Sequence, residues 1–580
     1  MKPFLMARLA GTQTEMGAQH GALVAAEAVR LIEFYNTMPE RTLAGEMGGL
    51  GRRVVRTVAR AWQAQLVKQR PAELAARSRA FADAVQAALP DAKVPSDAML
   101  DIATMDALQN CVALVARAKL GPFAAQTPVG PLGKLGARFA RRSVRAAMPA
   151  CSTAIAWGSA THDGELMFGR NFDFPGVGVW DAAPAFITCA PTGGQRYGFF
   201  ATRGADAPVV TVVNEAGLVF APHTRWHRGV TLGGAMIVDV VHELARRAET
   251  LEDAIRIARE RPISSSWGIA VGSAREKSAC VLEIAGPALE VVRPAPGATF
   301  LICANRYRSD ALQAGQLAGS EAWALHSERR ERRLRELVAE RPAPLTPEML
   351  ARFLGDRHDI DAPARRRHLG AILAQGTNVH CAVVTPSRCE AIVGIDQAPT
   401  CEGRWAELAW QWDGPLGAWE LDPSPSPSPD PGTSTNGFRA RVRDDIAEKH
   451  DAATRALYDA AQAYDNHHDV KATLAAIERA VAADPDDPSL RLPAAWLALE
   501  AKLADRAVVH VHAGLATETE PYRRGQLLLW GARAARSQDR ALATRWNDEL
   551  GRLGIAELTA ASKRPFRGRP HVNLMMADAY

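Results

Sequence analysis

Residues 149–158 read Pro-Ala-Cys-Ser-Thr-Ala-Ile-Ala-Trp-Gly, which places Cys151 at the start of a run typical of a β-strand. After a turn, a second apolar run ends in Gly-Arg-Asn-Phe-Asp-Phe at residues 169–174. The pattern predicts a hairpin whose return strand brings Arg170 and Asp173 close to Cys151. A nearby cation favours the thiolate, which is the attacking form of cysteine. These three residues are therefore candidate catalytic residues.

Cys151 also has a simpler interpretation, because an unpaired cysteine is usually a buried apolar residue. Arg170 and Asp173 could likewise form a surface ion pair, which carries little energy. Against this, the period-2 alternation of the return strand gives neither residue an obvious place in solvent. Further matches along the chain decide between the two interpretations.

Five shorter stretches follow in order. Residues 213–218, Val-Asn-Glu-Ala-Gly-Leu, have the asparagine and glycine of a tight turn. The others are Val-Leu-Glu-Ile at residues 281–284, Ile-Cys-Ala-Asn at residues 302–305, Ser-Glu-Arg-Arg at residues 327–330 and a strand-like run at residues 376–384. Together with the cysteine hairpin, they resemble the N-terminal-nucleophile (Ntn) hydrolases. The resemblance is to the cysteine branch, which contains penicillin V acylases, bile salt hydrolases and the isopenicillin-N acyltransferase-like peptidase family C45.

The resemblance implies that Cys151 becomes the first residue of its chain. Its freed α-amino group, with an unperturbed pKa of about 7.7–8.0, then serves as the general base. A cysteine in mid-chain has no such base, so the bond between Ala150 and Cys151 is the implied site of self-cleavage. The thiol would attack the carbonyl of Ala150, and water would resolve the thioester. Arg170 and Asp173 would hold the cysteine and its amine in register and tune the thiol.

Two later residues receive roles from the same resemblance. Asn305 would lie near the nucleophile and stabilise the oxyanion, and Arg330 would be a second catalytic arginine. The register leaves Arg329 and Arg333 as alternatives to Arg330. The charge run at residues 328–335 is also typical of the solvated face of a helix.

One feature departs from the family. The asparagine expected in the oxyanion hole falls on His223 or Thr224 in this chain. Either side chain can donate a hydrogen bond, so both are oxyanion candidates. The resemblance also places Glu283 beside the site.

The N-terminal residues 11–21, Gly-Thr-Gln-Thr-Glu-Met-Gly-Ala-Gln-His-Gly, resemble the opening of the isopenicillin-N acyltransferase-like group. Thr12 and Glu15 also form a capping-box pattern, so the alternative is a plain helix start, but the position of the stretch ahead of the cysteine favours the resemblance. A long pro-segment ahead of the cysteine separates this group from the bile salt hydrolases.

Composition sets the broad class. The 580 residues are too many for one domain, and we expect three. The hydrophobic fraction of 47% and the charged fraction of 23% are globular values, and a net charge of +5 is too slight for a general nucleic-acid-binding surface. The eight cysteines include no Cys-x-x-Cys pair, which argues against a zinc site or a disulfide framework and favours a reducing compartment.

The start of the chain lacks the apolar stretch of a signal peptide. No run is long and apolar enough to predict a transmembrane helix. We therefore expect a cytoplasmic protein.

The order of patterns predicts an α+β fold. Residues 1–150 are expected to form a helical pro-segment or small subunit, and residues 151–415 the catalytic domain. In the catalytic domain, short β-type runs alternate with helical stretches at residues 234–259, 321–340 and 347–354. This order favours a four-layer αββα Ntn-hydrolase sandwich, in which helices cover the outer faces of two packed sheets.

The pro-segment ends in a basic stretch that contains glycine and proline, at residues 121–150. We favour an exposed lead-in to the cleavage site, because charge runs are usually solvated. The alternative is a basic amphipathic helix that meets an anionic surface or guards the pocket.

The C-terminal part has its own organisation. Residues 416–437 contain a Pro/Ser-rich linker, which is expected to stay extended. Residues 438–560 are helical in pattern, and residues 474–485 resemble part of a tetratricopeptide (TPR) unit, which spans about 34 residues. Residues 561–580 form a tail. The concave face of such repeats could bind a protein or peptide, or the helices could simply pack on the catalytic domain.

The sequence thus favours an amidase or acyltransferase that needs no metal or organic cofactor. Its substrate would be a small N-acyl amide or acyl-thioester, and the acyl group would pass from Cys151 to water or to an amine. One alternative is a non-catalytic Ntn-fold protein that binds partners through its repeats, supported by the missing oxyanion asparagine. Another is a lipid hydrolase of the phospholipase B-like group, which the lack of a signal peptide counts against.

Overall fold

The structure is a computed structural model, and it describes residues 2–43, 57, 61, 63–92, 94, 106, 150–231, 233–317, 321–362, 367–421, 437–564, 574 and 578. The expected basic lead-in at residues 121–149 and the Pro/Ser-rich run at residues 422–433 lie outside the described residues.

Strands dominate the first three quarters of the chain. Among the described residues they are β1 (Phe4–Gly11), β2 (Ser152–Gly158), β3 (Gly164–Asp173), β4 (Pro184–Pro191), β5 (Tyr197–Thr202), β6 (Thr211–Asn214), β7 (Leu218–Thr224), β8 (Ser266–Ser273), β9 (Ser278–Ala285), β10 (Ala288–Val292), β11 (Phe300–Cys303), β12 (Asn378–Thr385), β13 (Glu390–Gly394), β14 (Trp405–Trp410), β15 (Gly417–Leu421) and β16 (Phe438–Arg443).

Helices flank these strands and fill the C-terminal part. The named helices are α1 (Gln13–Leu23), α2 (Ala25–Leu43), α3 (Ala72–Ala88), α4 (Ile237–Arg247), α5 (Leu251–Glu260), α6 (Asp310–Gln313), α7 (Glu321–Ala339), α8 (Pro347–Leu354), α9 (Ala452–Ala461), α10 (Val470–Ala483), α11 (Pro488–Glu500), α12 (Ala504–Thr517), α13 (Pro521–Ala535), α14 (Arg540–Arg552) and α15 (Ala556–Ser562). No helix of the described residues is long and apolar enough to cross a membrane.

The strands form two sheets. Sheet A has the order β10-β9-β8-β7-β6-β5-β4-β1-β15, and sheet B has the order β11-β2-β3-β12-β13-β14-β16. Neighbouring strands are antiparallel except for β1 and β4, which pair in parallel. The hairpin of β2 and β3, which the sequence predicts around Cys151, lies near one edge of sheet B.

The core follows from strand alternation. On β8, Ala270 faces the other sheet, whereas Ile269 and Val271 face helices. Helices α4 and α5 cover the outer face of sheet A, and the outer face of sheet B packs against Leu334 of α7 and Leu350 of α8. The layers are therefore helix, sheet, sheet and helix, which confirms the predicted α+β sandwich.

The N-terminal segment differs in part from the expectation of a helical pro-segment. Residues Phe4–Gly11 form β1 inside sheet A, with β4 on one side and β15 on the other. Helix α1 follows with the predicted capping box, in which Thr12 accepts from the backbone of Glu15 and the Glu15 carboxylate accepts from the backbone of Thr12. The pro-segment thus contributes a strand to the catalytic fold.

The C-terminal boundary also differs from the expected one. The strand Gly417–Leu421 pairs with β1, and the strand Phe438–Arg443 pairs with β14. The residues expected to begin a separate linker and a purely helical domain therefore complete both sheets. The purely helical part starts at α9.

The C-terminal helices contact the catalytic domain through buried charged groups. Arg523 donates to Asp359 at 2.7 Å, and the backbone of His368 donates to Asp487 at 2.8 Å. Leu457 belongs to the same apolar cluster as Cys151. These contacts support the interpretation in which the helices pack on the catalytic domain, whereas a TPR-type partner surface stays a prediction.

Candidate active site

The candidate nucleophile lies at the start of β2. Thr153 pairs with Arg170 in the β2–β3 register, so period-2 alternation puts Cys151 and Arg170 on the same face of sheet B. Nη2 of Arg170 lies 3.5 Å from Sγ of Cys151 and donates to the carbonyl oxygen of Pro222 at 2.6 Å. The hairpin therefore brings the thiol and the predicted cation together.

The intact chain holds this thiol in its neutral form. Burial raises the pKa of Cys151, and the positive charge of Arg170 only partly opposes the shift. Because the thiolate is the reactive species, the thiol needs a base to accept its proton.

The backbone nitrogen of Cys151 is held by Asn305. It donates to Oδ1 of Asn305 at 2.7 Å, while Nδ2 of Asn305 donates to the carbonyl oxygen of Thr224 at 3.0 Å. The hydroxyl of Ser327 accepts from the backbone nitrogen of Asn305 at 2.9 Å. In the intact chain, Asn305 thus faces the atom that cleavage would turn into the α-amine.

Arg330 reaches the same point from helix α7. Its Nη1 donates to the carbonyl oxygen of Cys151 and to the hydroxyl of Ser152, each at 2.8 Å, and its Nη2 donates to Oδ1 of Asn305 at 3.0 Å. Arg330 is only 1% exposed, so the alternative of a solvated helix face does not describe it.

The two alternative arginines have other partners. Arg329 donates to Glu520 at 3.2 Å, and Arg333 forms a two-bond pair with Asp356 at 2.8–2.9 Å. Among the three arginines, the described contacts therefore place Arg330 at the nucleophile.

Asp173 completes the cluster. Its backbone oxygen accepts from the backbone nitrogen of Ala150 at 3.2 Å, and its Oδ1 accepts from Nδ2 of Asn378 at 2.9 Å. Burial raises the pKa of the Asp173 carboxyl to about 7, although Arg330 and Asn378 oppose the shift. A carboxyl with this pKa can take up and release a proton near neutral pH.

Asn378 is a site residue that the sequence analysis did not single out. Its Oδ1 accepts from the hydroxyl of Thr400 and from the backbone of Cys401, each at 2.9 Å. Together with the bond that its Nδ2 donates to the carbonyl oxygen of His380 at 3.3 Å, these contacts fix the amide group that contacts Asp173. The sequence feature that could have indicated Asn378 is its position at the start of the strand-like run at residues 376–384.

The two oxyanion candidates lie on β7 behind the cluster. Nε2 of His223 lies 2.8 Å from the hydroxyl of Thr153, and burial together with the charge of Arg170 lowers the pKa of His223 well below its usual range. Thr224 contributes its carbonyl oxygen to Asn305. An oxyanion role for either residue stays a prediction.

Glu283 lies in the site region but forms a different contact. It makes a buried ion pair with Arg225 at 2.6 Å, and it accepts from the backbone nitrogens of Arg308 and Ser309. Glu283 therefore fixes the loop that follows Asn305. Arg225 was missed because no local pattern links it to a strand some 58 residues away.

The structure thus brings together all five predicted residues, Cys151, Arg170, Asp173, Asn305 and Arg330. They come from β2, β3, the end of β11 and helix α7. The grouping offers a thiol, a titratable carboxyl and two buried cations within one cluster. These groups can together support nucleophilic attack on a carbonyl carbon.

Comparison with known families identifies the same region. Residues 159–392 match the family model described as acyl-coenzyme A:6-aminopenicillanic acid acyl-transferase. The match covers less than half of the chain, so this domain is similar to that family. The matched range includes Arg170, Asp173, Asn305 and Arg330. It begins shortly after Cys151, whose assignment rests on the geometry of the site.

Solved structures add two similar chains. One is the N-acylethanolamine-hydrolyzing acid amidase ortholog of Caenorhabditis elegans, with 14% identity over 41% of this chain and 93% of that one, and a TM-score of 0.29. The other is a mutant of the conjugated bile acid hydrolase from Clostridium perfringens, with 14% identity over 42% of this chain and 88% of that one, and a TM-score of 0.29. Curated protein sequences show no match to the chain.

Proposed function

We propose that this protein is a self-processing amidohydrolase or acyltransferase that cleaves a linear, non-peptide N-acyl amide through a thioester on Cys151. One observation carries the proposal. The backbone nitrogen of Cys151 is bound to Asn305 at 2.7 Å, while its thiol lies 3.5 Å from Arg170. The cluster therefore holds both the nucleophile and the nitrogen that would become its base.

Self-cleavage comes first in this mechanism. The thiol of Cys151 attacks the carbonyl carbon of Ala150, a C–S bond forms, and the C–N bond between the two residues breaks. The nitrogen takes a proton and becomes the α-amine of Cys151. Water then hydrolyses the thioester, which releases the Ala150 carboxylate and restores the thiol. Asp173, with its pKa near 7, is the base for the first proton because no α-amine exists yet.

Turnover repeats the same chemistry on a substrate. The α-amine of Cys151 takes the thiol proton, the sulfur attacks the acyl carbonyl, and the proton passes to the departing amine. The acyl group then leaves to water in hydrolysis or to another amine in acyl transfer. Asn305 holds the amine nitrogen, Arg330 holds the carbonyl oxygen of Cys151, and Arg170 lies beside the sulfur. Their contribution is mainly one of orientation.

The experiment is mass spectrometry of the purified, denatured protein. Wild type is expected to give two fragments that separate between Ala150 and Cys151, and Cys151→Ala is expected to give one uncut chain. Cys280→Ala is the matched control, because Cys280 is buried in β9 and has no role in the mechanism. This control should cleave like wild type.

An uncut wild type would overturn the proposal and favour the non-catalytic binding protein. If cleavage occurs, aminocoumarin amides of several acyl groups and the matching acyl esters are then assayed. Release of aminocoumarin, lost in Cys151→Ala, supports the amidase. Turnover of the esters alone would favour the lipid hydrolase instead.

A further inference from the structure

The loop that follows the catalytic strand crosses from one sheet to the other. Residues 174–183, the crossing loop, join β3 of sheet B to β4 of sheet A and start directly after Asp173. Because the loop begins at the site, its position determines what lies beside the nucleophile.

Aromatic side chains line this start. The rings of Phe172 and Phe174 stack at 5.0 Å, and Trp180 packs edge-on against both at 5.5 and 5.9 Å. The Arg170 guanidinium lies 5.5 Å from the centre of the Phe172 ring, and the same guanidinium reaches Cys151. Only the Arg170 side chain therefore links the Phe172 ring of this aromatic cluster to the sulfur of Cys151.

The C-terminal helices hold the crossing loop from outside. Nδ2 of Asn466 donates to the carbonyl oxygen of Val177 at 3.1 Å, and the hydroxyl of Tyr458 hydrogen-bonds the carboxylate of Asp181. Asp181 in turn accepts from the backbone nitrogen of Gly178 at 2.7 Å. Thus two side chains of the helical domain hold a loop that carries Trp180.

Gly178 shows how closely the two parts approach. Its φ of +80° lies in the region that favours glycine, and a Cβ there would stand 2.8 Å from Cδ of Gln462. A larger residue at this position would have to push the end of the Gln462 side chain aside and adopt a strained positive φ. The Gln462 side chain therefore lies directly against the loop at Gly178.

The helical segment that makes these contacts has an unusual backbone. Residues Gln462–Asn466 form a π-helical turn directly after α9. Such turns are rare and frequently mark functional sites, because they re-aim side chains at some cost in helix stability. Here the turn contains both Gln462 and Asn466, the residues that touch the crossing loop.

We propose that the helical domain determines which acyl groups reach Cys151, by fixing the crossing loop and its aromatic side chains through Asn466 and Tyr458. This rests on the proposed function, because it concerns the acyl group that Cys151 would carry. Asn466 and Tyr458 are positioning residues, since they touch the loop and not the reacting atoms. The acyl group selected is an apolar one that packs on the rings of Phe174 and Trp180.

Two reagents that alkylate Cys151 test the inference without a substrate. The full-length protein is treated with iodoacetamide, which is small, and with iodoacetanilide, which carries a phenyl ring, and labelling of Cys151 is followed by peptide mass spectrometry. The ratio of the two rates is compared in wild type, Asn466→Ala and Asn466→Asp. The Asp side chain has the size of Asn but lacks the N–H donor. A change seen in both variants therefore comes from the lost hydrogen bond and not from the lost side-chain volume.

We expect both variants to change the rate ratio about twofold to tenfold, the range that one lost hydrogen bond allows. Asn547→Ala, on helix α14 of the same domain, is the control and should keep the wild-type ratio. The ratio of kcat/KM for phenylacetyl and acetyl aminocoumarin amides should shift in parallel. An unchanged alkylation ratio in both Asn466 variants would overturn the inference. Absence of amide turnover with a changed alkylation ratio would count against the proposed function alone.

Discussion

Replacing Arg330 with glutamine should nearly stop self-cleavage while leaving the fold intact. Arg330 makes three hydrogen bonds in the cluster, and two of them hold the carbonyl of Cys151 and the amide oxygen of Asn305. Bonds from a charged donor contribute ~1.5–3 kcal/mol each. Losing the two that orient the reacting groups should raise the barrier by ~3–6 kcal/mol, which slows cleavage about 10²- to 10⁴-fold.

Arg333→Gln provides the matched control. Arg333 lies three residues along the same helix and pairs with the partly exposed Asp356, where an ion pair is expected to contribute at most ~1 kcal/mol. Its cleavage rate should therefore stay close to that of wild type. Arg330→Lys keeps the charge but not the planar fork of donors, so an intermediate rate is expected.

The assay follows the two fragments by mass spectrometry after expression and during incubation of purified protein. Differential scanning fluorimetry reports folding of each variant in parallel. The reasoning is refuted if folded Arg330→Gln cleaves at the wild-type rate. It is also refuted if Arg333→Gln is slowed as much as Arg330→Gln.

Three further predictions concern stability and assembly. In an uncleaved chain, the free energy of unfolding should fall as pH rises from about 4 to 7, because folded Asp173 (pKa about 7) keeps a proton that the unfolded carboxyl loses. Asp173→Asn should remove up to ~4 kcal/mol of this pH dependence, measured by urea titrations at several pH values. After cleavage, residues 1–150 should co-elute with residues 151–580 in size-exclusion chromatography and separate only in denaturant, because β1 lies inside sheet A. Arg77→Met should lower the melting temperature through a loss of ~3–5 kcal/mol, since it leaves the buried carboxylate of Asp206 without its main cation; melting at the wild-type temperature would contradict this.

Local patterns predicted the part of the site that lies on neighbouring strands. The hairpin around Cys151 needs only a turn and two apolar runs, so its register with Arg170 followed from period-2 alternation. Asn305 and Arg330 were predicted from the family resemblance, and the structure places both against the backbone of Cys151. The αββα layering followed from the order of strands and helices.

Contacts between distant parts of the chain left no local signal. Asn378 reaches Asp173 across 205 positions, and β1 finds its partners β4 and β15 only in the folded sheet. Residues 4–11 form a short apolar run before a helix cap, which by itself suits a buried loop or strand equally. Strand β16 alternates apolar residues with three arginines, but nothing in that local pattern indicates that it pairs with β14.

The order of the strands has a consequence for biosynthesis. Cys151 leaves the ribosome long before Asn305, Arg330 and Asn378, and sheet A lacks an edge until residue 421 has been made. A truncated nascent chain would therefore carry the cysteine without the groups that hold it. Under the proposed mechanism, the cut before Cys151 therefore acts as a quality check, because a chain that stops before residue 421 lacks an edge of sheet A and cannot mature.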